Sequence, residues 1–197
     1  DNLTSVQILS PTAGIDYTFT IRIYQIPKKA NLDNYDLVEA VDFVSASSFD
    51  LTNLDGDRDK EYLLHISYSE TGGLNPRIQL NSDTGSNYTG QRLRNVAGSI
   101  SSVNALTTGF DLFSSGNNPT DIDCFMKIST ESGRKRLMNS SMGSNVGGVE
   151  QVEFAGWWSN TADNLTQISL VQMNSGTGSV KLYRRKSNKT IDPVPME

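Results

Sequence analysis

The sequence predicts an all-β antiparallel sandwich, and three observations carry that expectation. Of 197 residues, 73 are Ser, Thr, Asn or Gly, types that favour turns and strand edges over helix interiors. Apolar residues recur with a period of two in a series of short runs, the spacing of strands with one buried face. Turn clusters rich in Gly, Asn and Ser separate most of those runs. The length suits one large sandwich, so a single domain is expected over residues 1–186, with an extended tail over 187–197 that carries Pro193 and Pro195.

Along the chain, Tyr17, Phe19, Ile21 and Ile23 share one side of the first run, opposite Thr18, Thr20 and Arg22. Residues 61–69 divide into Tyr62, Leu64, Ile66 and Tyr68 on one face and Glu61, Leu63, His65 and Ser67 on the other. A short run over 77–80 follows the cluster Thr71-Gly72-Gly73. Ile100, Val103 and Leu106 have helical spacing, but the surrounding serines disfavour a helix, and the segment reads as a loop. Residues 111–120 read as a surface loop. From Asp121 onward, Ile122, Cys124, Met126 and Ile128 alternate against Asp123, Phe125, Lys127 and Ser129, which assigns Cys124 to the core. Runs over 150–154, 167–173 and 179–183 complete the series, the last two separated by the turn cluster Asn174-Ser175-Gly176-Thr177-Gly178.

The chemistry is constrained mainly by what is scarce. A net charge of −5 with pI near 4.9 argues against nucleic acid as a partner, because phosphate binding needs dense positive charge. No stretch approaches the ~18 consecutive apolar residues of a membrane helix, so no membrane insertion is expected. One Cys and one His cannot supply an intrachain disulfide or a four-ligand structural zinc site. His65 sits within a strand pattern and reads as an ordinary sheet residue, and no Ser has Gly two places before and two places after it, so no catalytic residue is assigned and no cofactor is expected. A pair of carboxylates could still serve glycoside hydrolysis, since their sequence spacing is free, and a glycan-degrading enzyme is the catalytic alternative.

Asp55, Asp57 and Asp59 alternate through a short segment as calcium-loop carboxylates do, although the Gly and Glu positions of an EF-hand are filled by Lys60 and Ile66. They are weak calcium candidates, and a turn ahead of residue 61 accounts for them without a metal. Arg134-Lys135-Arg136, and Lys181 with Arg184-Arg185-Lys186, read as solvated hairpin ends or as contacts for an anionic partner. Trp157 and Trp158 are adjacent in a strand pattern and must point to opposite faces. An outward Trp or Tyr beside Asn and Asp is suited to stacking on a sugar ring or to a subunit contact. Tyr88, Trp157 and Trp158 are therefore the ligand-binding candidates.

The stretch Asn81-Ser82-Asp83-Thr84-Gly85-Ser86-Asn87-Tyr88, following the run over 77–80, resembles a turn of the jelly-roll modules of tailed-bacteriophage structural proteins. Asp50-Leu51-Thr52-Asn53-Leu54 ahead of Glu61, and residues 164–183 read as a closing hairpin, are similar to the same modules, so the resemblance spans roughly residues 36–184. It implies a jelly-roll-like sandwich located in the virion: a tail fibre, baseplate or capsid-associated protein that binds a host-surface glycan or neighbouring virion proteins. It further implies a homo-oligomer, with a trimer favoured, and leaves a capsid decoration or connector role as the alternative. The chain lacks the coiled-coil or collagen-like shaft of a complete tail fibre, and the family carries no catalytic motif onto these residues.

Overall fold

A computed structural model describes residues 34–69, 76–96, 99–112, 121–144 and 150–186. Strands account for most of them: β1 (Tyr35–Leu51), β2 (Glu61–Ser69), β3 (Arg77–Leu80), β4 (Tyr88–Val96), β5 (Ser99–Thr107), β6 (Phe110–Asp111), β7 (Asp121–Ser129), β8 (Arg136–Ser144), β9 (Glu150–Trp158) and β10 (Ile168–Arg185). One helical turn, α1 (Gly56–Asp59), precedes β2. The expected strand over 17–23, the turn at 71–73 and the tail over 187–197 lie outside the described residues.

All pairings are antiparallel, in the order β5-β4-β9-β8-β7-β2-β10-β3-β6, with β1 alongside β10. The all-β antiparallel class is thus as the sequence predicts. Hydrogen bonding nevertheless runs through one continuous sheet, which curls on itself, where a sandwich would have two sheets bonded separately. The curl is visible in the connections: β5 and β6 stand at opposite ends of the strand order yet only residues 108 and 109 separate them. Rings from the two ends meet inside, with Phe110 of β6 edge-on to Tyr88 of β4 at 4.9 Å and to Phe154 of β9 at 5.2 Å between centroids.

The alternation in β2 and β7 turns the expected faces inward. Tyr62, Leu64, Ile66 and Tyr68 pack beside Ile122, Cys124, Met126 and Ile128, all buried, in a ladder that pairs Leu64 with Met126 and Ile66 with Cys124. Val180 and Leu182 of β10, Met138 and Met142 of β8 and Val152 of β9 extend this core.

Three local expectations fail for physical reasons. Residues 174–178 do not turn the chain: β10 continues through them, with the first half pairing to β3 and the second to β2. The turn residues mark a bend instead. Gln172 and Ser175 have φ of 59° and 51°, and β1 opposite shifts register between Phe43 and Ala46 and again before Ser48, the signature of bulges that bend a strand. Gly176 fits because a Cβ there would stand 1.7 Å from the Tyr68 ring. Residues 99–107 form β5 in place of a loop, since pairing with β4 along its whole length supplies backbone bonds that the serines do not oppose. Phe110–Asp111, at the start of the expected loop, forms β6 against β3; residues 113–120 lie outside the described residues.

The connection between β3 and β4 latches the curl. Asn81 and Ser82 hold left-handed φ values of 51° and 53°. Asp83 then accepts hydrogen bonds from the Gly85 amide (2.8 Å), the Asn87 side chain (2.9 Å) and the indole of Trp158 at the end of β9 (2.6 Å). The Tyr88 hydroxyl accepts from the Leu80 amide (2.9 Å) and reaches the Asp83 carbonyl (3.1 Å). Asn81 accepts from the amides of Thr166 and Gln167 and donates to the Asn164 carbonyl, tying the same turn to the lead into β10.

Burial pushes the Asp83 carboxyl up, but the bonds from Trp158, Asn87 and Gly85 outweigh it and hold the group below the usual carboxylate range. A carboxyl depressed in the folded state contributes stability that is full above its unfolded value of about 3.9 and is lost as pH falls through the folded value. Chemical denaturation from pH 7 to pH 2 will show wild-type stability falling at the acid end, and Asp83→Asn will be less stable at pH 7 by about 1–2 kcal/mol with a shallower acid slope. An unchanged acid slope in Asp83→Asn would remove Asp83 from the latch.

Candidate functional site

Two of the three expected ligand-binding residues are interior. Tyr88 and Trp158 are fully buried and stack on each other at 6.3 Å, with the Arg136 guanidinium 5.2 Å from the Trp158 ring centre. Their polar atoms serve the latch, and burial keeps the Tyr88 hydroxyl protonated. No ligand can stack on either ring, so both expectations are corrected to core roles. Arg136 also departs from its expected solvated position: it is buried and donates to the carbonyls of Asn160 and Asp163.

Trp157 takes the opposite face, as its parity requires. Its half-buried ring lies on the outside of the sheet with the Lys135 ammonium 4.8 Å from its centre. Cross-strand register sets Thr89 on one side of it and Leu137 on the other. The adjacent outward row is Gln91, Ala155 and Asn139. Because Ala155 is small and its neighbours are long, the surface dips there. The result is an open groove of about 580 Å³ across β4, β9 and β8, lined by Trp157, Leu137, Thr89, Gln91 and Asn139.

This lining combines a flat aromatic ring and an aliphatic side chain with one hydroxyl and two amides. Such a set can pack the apolar face of a ring while exchanging hydrogen bonds with its substituents. Among the described residues that line it there is no carboxylate, histidine or cysteine. The side chains that line the groove can bind by contact and hydrogen bonding. His65 lies elsewhere on the outer face, 3.0 Å from an Asp123 carboxylate oxygen and stacked on Phe125 at 4.2 Å. Cys124 is buried, and burial pushes its thiol up to about 12, which leaves it protonated and unreactive.

The three calcium candidates do not converge. Asp55 caps α1 by accepting from the Arg58 amide and also accepts from the Asn164 side chain (3.0 Å). Asp57 accepts from the Ser132 amide (2.6 Å), which holds its carboxyl below the usual range. Asp59 accepts from the Tyr62 hydroxyl (2.7 Å) and from Arg58 (2.9 Å). Each carboxylate fastens α1 to a different neighbour, and among the described residues no group of three or more His, Cys, Asp or Glu side chains could hold a metal ion.

Sequence parity sets Trp157 and Trp158 on opposite faces without saying which is outward, and it does not name the companions of either. Thr89 and Gln91 belong to β4, and Leu137 and Asn139 to β8, and only register makes them neighbours. The available signal in β8 is the alternation of Leu137, Asn139 and Ser141 against Met138, Ser140 and Met142, obscured by a buried Arg136 at its start. In comparisons with known proteins, the chain matches no family model, no curated protein and no solved structure.

Adding a strong calcium chelator is expected to leave the melting temperature unchanged, because protein donors already occupy the Asp55, Asp57 and Asp59 carboxylates. A fall of several degrees that calcium reverses would return a metal to this turn.

Proposed function

We propose that this chain is a virion component of the tailed-bacteriophage kind that works by adhesion, binding a host-surface saccharide in the Trp157 groove. The observation that carries the reading is the groove's composition: an outward indole and Leu137 beside the Thr89 hydroxyl and the Gln91 and Asn139 amides. A sugar ring has one apolar face and a rim of hydroxyls, which those groups complement. The phage assignment rests on the resemblance of the Asn81–Tyr88 turn and its surroundings. Association, with no chemical step, is the proposed activity.

A second reading draws on a different observation. Large apolar side chains stand exposed on the outer sheet face, with Phe125 at 50%, Leu137 at 55% and Leu93 at 49% exposure. Such residues suit packing against a neighbouring subunit, as in a capsid decoration or connector protein. Solution mass across a concentration series separates the two: a closed trimer fits the adhesion reading, and a monomer at every concentration favours the decoration role.

Trp157→Ala is expected to weaken retention on the saccharide that the wild type binds by about tenfold, near 1.4 kcal/mol, with little change in melting temperature. Saccharide array binding followed by titration of the best ligand measures both, and undiminished binding by the variant would remove the groove from the reading.

A further inference from the structure

A second concavity lies where the start of β1 pairs with the end of β10, beside α1 at the entry to β2. It is an open cleft of about 510 Å³, within the ~300–1,000 Å³ range of small-ligand sites. Arg58 and Lys60 reach it from α1 and its cap, where Lys60 holds a left-handed φ of 64°. Arg184, Arg185 and Lys186 reach it from the end of β10. Among the described lining residues Asp36 and Asp59 are the acidic ones, so those residues carry a surplus of three positive charges in a chain whose net charge is −5. The sign is reversed locally, so the bulk charge of the protein does not explain it.

Most of these cations already have a carboxylate. Arg58 is 2.9 Å from Asp59, Lys60 is 3.1 Å from Glu131 and Lys186 is 3.8 Å from Asp36. Asp59 is further held by the Tyr62 hydroxyl. Arg184 and Arg185 are held less closely: among the described residues neither forms an ion pair within 4 Å, although Arg184 is near enough to Asp59 to help hold that carboxyl down. Arg184 is half-buried and paired across the ladder with Tyr62, and Arg185 is exposed and paired with Tyr35. As consecutive strand residues they leave the backbone on opposite faces, and the cleft at the strand end is where both arrive. Both residues line the cleft, and guanidinium forks are matched to planar or tetrahedral oxyanions.

We propose that this cleft binds the oxyanion groups of an acidic saccharide, clamped by Arg184 and Arg185 with Arg58 and Lys60 at its rim. Uronate carboxylates and glycan phosphodiesters present the same chemistry to these forks. Nucleic acid is disfavoured because one local cleft offers few of the many phosphate contacts that such binding needs. The site is separate from the Trp157 groove, and only the choice of a saccharide as carrier rests on the adhesion reading.

Titration calorimetry of the full chain at low salt tests this with four probes: a polyuronate oligosaccharide, a glycerol-phosphate teichoic-acid oligomer, neutral dextran and a single-stranded oligonucleotide. One of the two acidic saccharides is expected to bind, more weakly as salt is added, and dextran is not expected to bind in the cleft. The Arg184→Glu/Arg185→Glu double variant is expected to lose at least about tenfold in affinity for that saccharide, while Trp157→Ala binds it like the wild type. Arg185→Gln, at an exposed position, gives the same direction of change should the double variant fail to fold. Binding of neither acidic saccharide, equal affinity in Arg185→Gln and the double variant, or tighter binding of the oligonucleotide would overturn the proposal. Loss through Trp157→Ala alone would do so too, by assigning the saccharide to the groove. Conversely, acidic saccharide lost only through the arginines, with no saccharide held at Trp157, would sink the groove reading and leave the cleft standing.

Discussion

The ends of the sheet must meet because the chain that joins them is short. Residues 108 and 109 alone carry the backbone from β5 to β6, and residues 81–87 carry it from β3 to β4, while both pairs lie far apart in the strand order. A flat sheet with this order cannot be connected, so curling follows from connectivity and the core is what fills the curl. Asp83 is the fastening point, since one carboxylate receives donors from its own turn and from Trp158 of β9. The buried stack of Tyr88 on Trp158, with Phe110 against Tyr88, then seals the space between the two ends.

Side-chain amides, carboxylates and hydroxyls also hold the same end of the molecule. Asn164 accepts from the Asp57 amide and donates to Asp55, Asp57 accepts from Ser132, and the Thr130 hydroxyl donates to the Gly56 carbonyl (2.7 Å). Arg136 enters from β8 to satisfy two carbonyls of the segment between β9 and β10. Buried carbonyls without such a partner would each cost about 1–3 kcal/mol, so these polar residues are structural requirements of loops packed together. The most motif-like stretches, the alternating aspartates at 55–59 and the Asn-x-Asp-x-Gly-x-Asn-Tyr turn, thus carry contacts that hold the fold.

The groove and the cleft lie on surfaces that the latch does not use. The Trp157 groove lies on the outward side of three strands whose inward side carries Trp158, Phe154 and Met138, so its lining side chains are held by the same backbone that frames the core. The arginine cleft lies at the end of β10, the strand that pairs with β1, β2 and β3. Both surfaces therefore sit on paired backbone, which fixes side-chain positions more closely than free loops do.

What the residues alone determined is whatever depends on local alternation. Where a strand has a uniformly apolar inner face and regular pairing, as in β2 and β7, the period of two identified the strand, its buried face and the core position of Cys124. Opposite faces for Trp157 and Trp158 also follow from parity. Alternation failed where tertiary structure interrupts it. Register shifts in β1 scatter its apolar residues across both faces, a buried arginine and Ser140 occupy inner positions of β8, and Gly-rich residues that read as a turn serve as a bend within β10. Only the tertiary structure decided that Tyr88 and Trp158 are interior, and that Thr89, Gln91, Leu137 and Asn139 surround Trp157. Those facts depend on which strands become neighbours, and neighbours in a curled sheet are chosen by pairing between segments tens of residues apart, which no local pattern encodes.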